Sequence, residues 1–258
     1  MRASTSSPPN KILVLFDIDG TLVDCGSTAG KCFAGVFRKI FGVRCPKLSA
    51  KEIAGLTDSA ILALVAAQSH LTDGSLEKRG ELFELYAREL AKEFRSKPPR
   101  PLPGARQALD KLGNFPWCVL GLLTGSTQAT AQLKLECAGI EFKHFICGAF
   151  AEDGERRELL PPIAQSRFAR LFGRNPQLTI LVGDTPRDVE AAQATGCEFV
   201  GVATGHYDTA ALIGAGAGTV LPDLSDAGSF CQAIADLAAG QRQTDPPATA
   251  SPGIVSSS

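Results

Sequence analysis

Apolar residues fall in short, nearly continuous runs along this chain, at about 12–16, 117–123, 143–147, 178–182 and 198–203. Runs of that length suit strands of a parallel sheet covered on both faces. Between them the apolar positions take helical spacing, near 126–138, 158–172, 187–195 and 227–238. Gly139 and Gly196 stand where helices end, and Pro186 stands where one begins. The alternation predicts an α/β fold with a doubly wound, Rossmann-like parallel sheet. "GAGAGT" at 214–219 lacks the strand-then-helix setting of a nucleotide loop, so it is read as a turn before a short edge strand at 219–221.

One region departs from the alternation. From 26 to 97 no strand is evident, and "KCFAGVFRKIF", "DSAILALVAAQ" and "LEKRGELFELYARELAKEF" carry helical stripes. The Pro-rich "KPPRPLPG" closes the segment. Some seventy residues are too many for an ordinary crossover. The expected organisation is therefore an α/β core of 11–25 and 98–240, an inserted helical domain of 26–97, and disordered tails at 1–10 and 241–258.

Composition narrows the function classes. Of 258 residues, Lys and Arg number 26 against 27 Asp and Glu, so no basic field argues for nucleic acid or a membrane surface. No apolar run spans a bilayer, and the N-terminus lacks the apolar centre of a secretory signal. Eight cysteines without a C-x-x-C and three scattered histidines form no zinc pattern. The expectation is a cytoplasmic protein, monomer or homodimer, whose partner is a small molecule.

The chemistry begins at "KILVLFDIDGTLVDC" (11–25), where the first run ends on Asp17 and Asp19. In an extended chain these two face the same way. Two such charges about 4 Å apart repel by roughly 4 kcal/mol at an effective dielectric near 20, so a proton, a cation or a metal must offset them. A calcium loop is excluded, since its twelfth position holds Thr28 and not a bidentate Glu. In a doubly wound sheet the ligand lies at the carboxyl ends of the strands. There the second run delivers Thr124, Gly125 and Ser126, suited to a phosphate at a helix start or to a helix cap. The fourth delivers Asp184 and, four residues on, Asp188. Three carboxylates on one rim suit a hard divalent cation such as Mg²⁺.

These residues carry a resemblance. Over about 11–240 the chain resembles haloacid dehalogenase superfamily hydrolases of the phosphoglycolate phosphatase-like group, with a helical cap between the first two motifs. "DIDGT" is similar to the D-x-D-G-[TV] signature, "LLTGS" to the second motif and "GDTPRD" to the acidic fourth. The resemblance implies Asp17 as nucleophile and Asp19 as general acid/base. It implies Mg²⁺ held by Asp17, the Asp19 carbonyl and Asp184, with Asp188 close by, and phosphate bound by Thr124 and Gly125. "EIAGLTDSAILAL" resembles the cap loop facing the site, with Thr57 and Asp58 as candidates for substrate selection; either also suits a helix N-cap. The usual third-motif lysine is missing. The segment "GAFAEDGERRELLPPIA" offers Arg156 or Arg157, and relatives reading D-R-x-x-L favour Arg156.

The expected activity is Mg²⁺-dependent hydrolysis of a small phosphorylated metabolite through an aspartyl-phosphate. A sugar phosphomutase would use the same residues, and a non-catalytic phosphate-binding module would use the same scaffold.

Overall fold

The computed structural model describes residues 11–71 and 77–244. The first strand, β1 (Ile12–Phe16), is wholly buried. A two-residue β2 (Val23–Asp24) leads into α1 (Thr28–Phe41), α2 (Ala50–Ile53), α3 (Asp58–Gln68) and α4 (Arg79–Ser96). Then come β3 (Arg100–Pro101), α5 (Ala105–Gly113), β4 (Cys118–Leu123), α6 (Gln128–Cys137), β5 (Cys147–Ala149) and α7 (Leu160–Phe172). The chain continues through β6 (Leu178–Gly183), α8 (Pro186–Thr195), β7 (Glu198–Val202), α9 (Thr209–Gly214), β8 (Thr219–Leu221) and α10 (Ala227–Thr244).

Six strands form one parallel sheet in the order β5-β4-β1-β6-β7-β8. The order reverses at β1, where chains wind off in both directions, so the crevice above its carboxyl end is the natural ligand position. Side chains of β1 alternate between two apolar layers. Ile12, Val14 and Phe16 pack with Leu109 of α5, Leu135 of α6 and Phe230 of α10. Leu13 and Leu15 pack with Phe168 of α7, Val189 of α8 and Leu212 of α9 on the other face. Continuous apolarity in β1 follows from this double cover.

Helices α1, α3 and α4 share an apolar cluster of their own, including Phe37, Leu62, Leu82 and Leu90. The chain leaves the sheet and returns to it through the antiparallel ribbon β2–β3, where Val23 pairs with Pro101 and Asp24 with Arg100. An Arg100–Asp24 ion pair of 2.9 Å reinforces the ribbon.

Four local expectations need correction. The third strand is at Cys147–Ala149, not 143–147, because Phe142–His144 form a 3₁₀ turn. Its "CGA" has no β-branched residue to mark it. Helix α5 was missed, although Ala105, Ala108, Leu109 and Leu112 are a buried helical stripe; α9 was also missed. Helix α10 runs to Thr244, beyond the expected tail start at 241. The remaining tail expectations, 1–10 and 245–258, lie outside the described residues.

Candidate active site

The end of β1 sets the first carboxylate. Asp17 continues the ladder through its N–H to the Val182 carbonyl (2.9 Å) and is buried. The chain then turns, because the Ile18 carbonyl accepts the N–H groups of Leu22 and Val23, both at 2.9 Å. Across this turn the carboxylates of Asp17 and Asp19 take different partners, Arg157 for Asp17 and Lys134 for Asp19. Asp17 joins Asp184 and Asp188 in a buried cluster, with one oxygen from each within 4.8 Å of the others. Asp184 follows β6 and accepts a hydrogen bond from Thr21 Oγ1 (3.0 Å). Gly20 is required there: its φ is +86°, and a Cβ would lie 2.3 Å from the Asp184 carboxylate.

Asp188 is the inner member of the cluster. Thr185 caps α8 and exchanges side-chain and backbone hydrogen bonds with Asp188, whose Oδ2 accepts from the Thr185 N–H and hydroxyl. Its Oδ1 lies 2.5 Å from Arg157 Nη2, and the same nitrogen lies 3.1 Å from Asp17 Oδ1. The sequence reading gave this place to Arg156. Arg156 instead stands in extended backbone before a 3₁₀ turn, is exposed, and pairs with Glu158. Arg157, first residue of that turn, is buried and faces inward.

Burial, opposed by Arg157, pushes the Asp17 carboxyl up to about 6. Burial and then Asp17 push the Asp184 carboxyl well above the usual carboxylate range. Burial alone would weaken the Arg157 charge, but Asp17 and Asp188 more than reverse that and hold its guanidinium charged. One arginine thus sits among three acids.

On the other side of β1, Thr124 is buried at the end of β4, and its hydroxyl accepts the Ser126 N–H at 3.2 Å. The cap of α6 is Thr127, not Ser126. Segment 54–59 of the helical insert rests directly on this turn. Asp58 N–H donates to the Gly125 carbonyl (2.6 Å), and Asp58 Oδ2 accepts the Thr127 N–H (3.2 Å). A Cβ on Gly125 would come within 2.1 Å of the Leu56 carbonyl, so only glycine permits the approach. Thr57 caps α3 and donates to the Glu155 carbonyl at 2.7 Å, while Ser59 donates to that of Ala151 at 2.8 Å. Burial, against the pull of Lys134, pushes Asp58 up to about 6.

Sequence reasoning missed Lys134. It belongs to the buried stripe of α6, with Thr130, Ala131 and Leu135, and is only 4% exposed. Its ammonium lies 2.5 Å from Asp19 Oδ2 and 2.7 Å from Ser126 Oγ, and Ser126 in turn donates to Asp19 Oδ2 at 3.2 Å. A lysine inside an otherwise buried stripe was the available signal.

The sequence profile of the haloacid dehalogenase-like hydrolase family matches residues 14–202. The chain belongs to that family. Two curated relatives are similar along most of their length. The phosphoglycolate phosphatase of Chromobacterium violaceum is 29% identical over 208 residues, covering 77% of this chain and 88% of its own. That of Agrobacterium fabrum is 27% identical over 211 residues, covering 79% and 85%. Among solved structures, the β-phosphoglucomutase of Clostridium difficile superposes with a TM-score of 0.67 at 17% identity, over 90% of this chain and all of its own. At that identity the likeness is one of fold.

The aspartate cluster of this hydrolase fits a divalent metal. All its donors are oxygens, the choice of a hard cation. Burial first, and then the neighbouring carboxylates, raise the proton affinities of Asp17 and Asp184 in spite of Arg157, and a bound cation would offset both effects. Both Asp188 oxygens are engaged, so Asp17 and Asp184 are the carboxylates better placed to bind an ion. No helix among the described residues is long and apolar enough to cross a membrane.

A stability prediction follows from these raised affinities. The folded-state values of Asp17 and Asp184 lie above the unfolded value, so the metal-free fold holds these protons more tightly than the open chain does. That contribution to stability is present below about pH 4 and is lost as pH rises through about 6 and beyond. Metal-free Asp184→Asn is expected to melt on the order of 5 °C above wild type at pH 7.5 and close to it at pH 4.5. Calorimetry in EDTA checks this; a variant less stable than wild type at pH 7.5 contradicts it.

Proposed function

We propose that this chain is a Mg²⁺-dependent phosphatase that hydrolyses a small phosphate monoester through an aspartyl-phosphate on Asp17. The observation that carries the reading is Asp17 itself. Its carboxylate stands at the carboxyl end of the central strand, beside a buried arginine and within an aspartate cluster suited to a metal. The phosphoglycolate phosphatase relatives make 2-phosphoglycolate the first ester to try.

Bound at Asp17 and Asp184, Mg²⁺ would supply positive charge for the phosphoryl oxygens. The residues of the chain do the rest. An oxygen of Asp17 attacks phosphorus, and the bond from phosphorus to the leaving oxygen breaks. Arg157 grips the phosphoryl oxygens and keeps Asp17 oriented. Thr124 and the turn at Gly125 receive a further oxygen. Asp19 gives a proton to the leaving oxygen, then takes one from the water that attacks the aspartyl-phosphate, which releases phosphate and restores Asp17. The insert of 26–97 acts as a cap on the core of 11–25 and 98–240, and Thr57 and Asp58 bring the 54–59 loop over the leaving group. Closure excludes water and strengthens each of these contacts.

A panel of phosphate esters, assayed with Mg²⁺ and with EDTA, tests the reading. Phosphate release with Mg²⁺ is expected, EDTA should reduce it at least about a hundredfold, and added Mg²⁺ should restore it. Equal rates in EDTA would remove the metal from the mechanism. Transfer of the phosphoryl group to a sugar phosphate, without release of phosphate, would make the protein a mutase. No turnover of any ester would favour a binding role.

A further inference from the structure

Lys134 is an expensive residue to place where it is. An ammonium removed from water costs several kcal/mol unless well paired, and the stripe it belongs to otherwise packs Ala131 and Leu135 into the core. Its hydrogen bonds go to Asp19 Oδ2 and to Ser126 Oγ. Ser126 is released for this by Thr127, which takes over the cap of α6. Two donors, from a turn and from the second turn of a helix, therefore converge on one oxygen of one carboxylate. The Asp19 side chain is otherwise 43% exposed, and a half-exposed carboxylate without such bonds would sample several rotamers.

We propose that Lys134 is a positioning residue for the acid/base step. With Ser126 it clamps Oδ2 of Asp19, so that the carboxyl group is held toward the leaving oxygen of the ester. The proposal rests on the phosphatase reading and on the role given there to Asp19. In the step concerned, the bond from phosphorus to the leaving oxygen breaks as Asp19 passes its proton to that oxygen. Lys134 touches neither the phosphoryl group nor the leaving oxygen; it acts through Asp19. Its effect should therefore depend on how much the leaving group needs a proton.

The experiment compares kcat/KM of wild type and Lys134→Met on two esters: the alkyl phosphate that wild type hydrolyses fastest, and para-nitrophenyl phosphate. An alkoxide needs the proton, while nitrophenolate leaves without one, and kcat/KM reports only the steps through transfer to Asp17. General acid catalysis contributes about 10²–10⁴-fold, so loss of positioning is expected to lower the alkyl value roughly 30–100-fold and the nitrophenyl value less than about threefold. Ser126→Ala removes one of the same bonds without burying a change in charge, and should show the same selectivity several-fold more weakly. Equal losses on both esters, or none on either, in Lys134→Met overturn the proposal. If that variant does not fold, equal losses in Ser126→Ala overturn it. A wild type that hydrolyses neither ester overturns the phosphatase reading, and this proposal with it.

Discussion

Asp17→Asn is expected to lower kcat by at least about four powers of ten on every ester while the fold is kept. An amide cannot attack phosphorus, and removal of a catalytic nucleophile elsewhere has cost about as much as dismantling the whole catalytic group. The fold should survive because Arg157 keeps its 2.5 Å contact with Asp188 and the Asp17 backbone keeps its bond to Val182. Labelled substrate, quenched within one turnover, should leave phosphate bound to wild type and none bound to the variant. A variant that still turns over near the wild-type rate would take Asp17 out of the mechanism.

Arg157→Ala should damage both activity and stability. Hydrogen bonds to charged groups contribute about 1.5–3 kcal/mol each, so loss of the guanidinium should cost roughly one to three powers of ten in kcat/KM, at about 1.4 kcal/mol per tenfold. Removing one partner of a buried ionic group costs about 3–5 kcal/mol of stability, since Asp17 and Asp188 are left without their cation. Arg157→Lys keeps the charge but not the fork, and should retain part of both. Arg156→Ala should change little, because Arg156 faces solvent and pairs with Glu158. Melting curves and steady-state kinetics on the three variants check the whole set; a normal Arg157→Ala would place the required cation elsewhere.

The parallel sheet was legible because its central strands are covered on both faces, which makes "ILVLF" an unbroken apolar run and "LTILVG" nearly one. The strand at Cys147–Ala149 was placed too early for the opposite reason: small residues at an edge carry no such mark. The acids at the strand tips were legible because Asp-x-Asp-Gly and Gly-Asp are rare ways to end a buried run. The cations were harder. Arg156 and Arg157 are neighbours of one type, and only the fold of the 3₁₀ turn decides which faces inward. Lys134 carries no motif in the sequence: it comes off α6, away from the segment after the third strand that holds the two arginines. The two carboxylates at the end of the first strand pair with different cations, Asp17 with Arg157 and Asp19 with Lys134, and that division is set by the fold and not by their spacing.

The ribbon β2–β3 has a consequence for how such a chain can change over generations. The helical insert departs at Asp24 and returns at Arg100, and these two residues are direct partners in the ribbon. To the sheet, the insert is a loop whose ends are already tied together. Each doubling of a loop whose ends are joined adds only about 0.6 kcal/mol of closure entropy, so the insert can lengthen, shrink or be exchanged wholesale without re-threading a single strand. The contacts it makes with the Gly125 turn run largely through backbone groups, from Asp58 N–H to the Gly125 carbonyl and from the Thr127 N–H to Asp58. A transplanted insert would need to reproduce the 54–59 loop, with Thr57 and Ser59 donating to the Glu155 and Ala151 carbonyls and the Gly55 carbonyl accepting from Arg157, to seat itself. On the cap role proposed above, grafting would be a route to new substrates on this scaffold, with the strand-tip carboxylates left untouched.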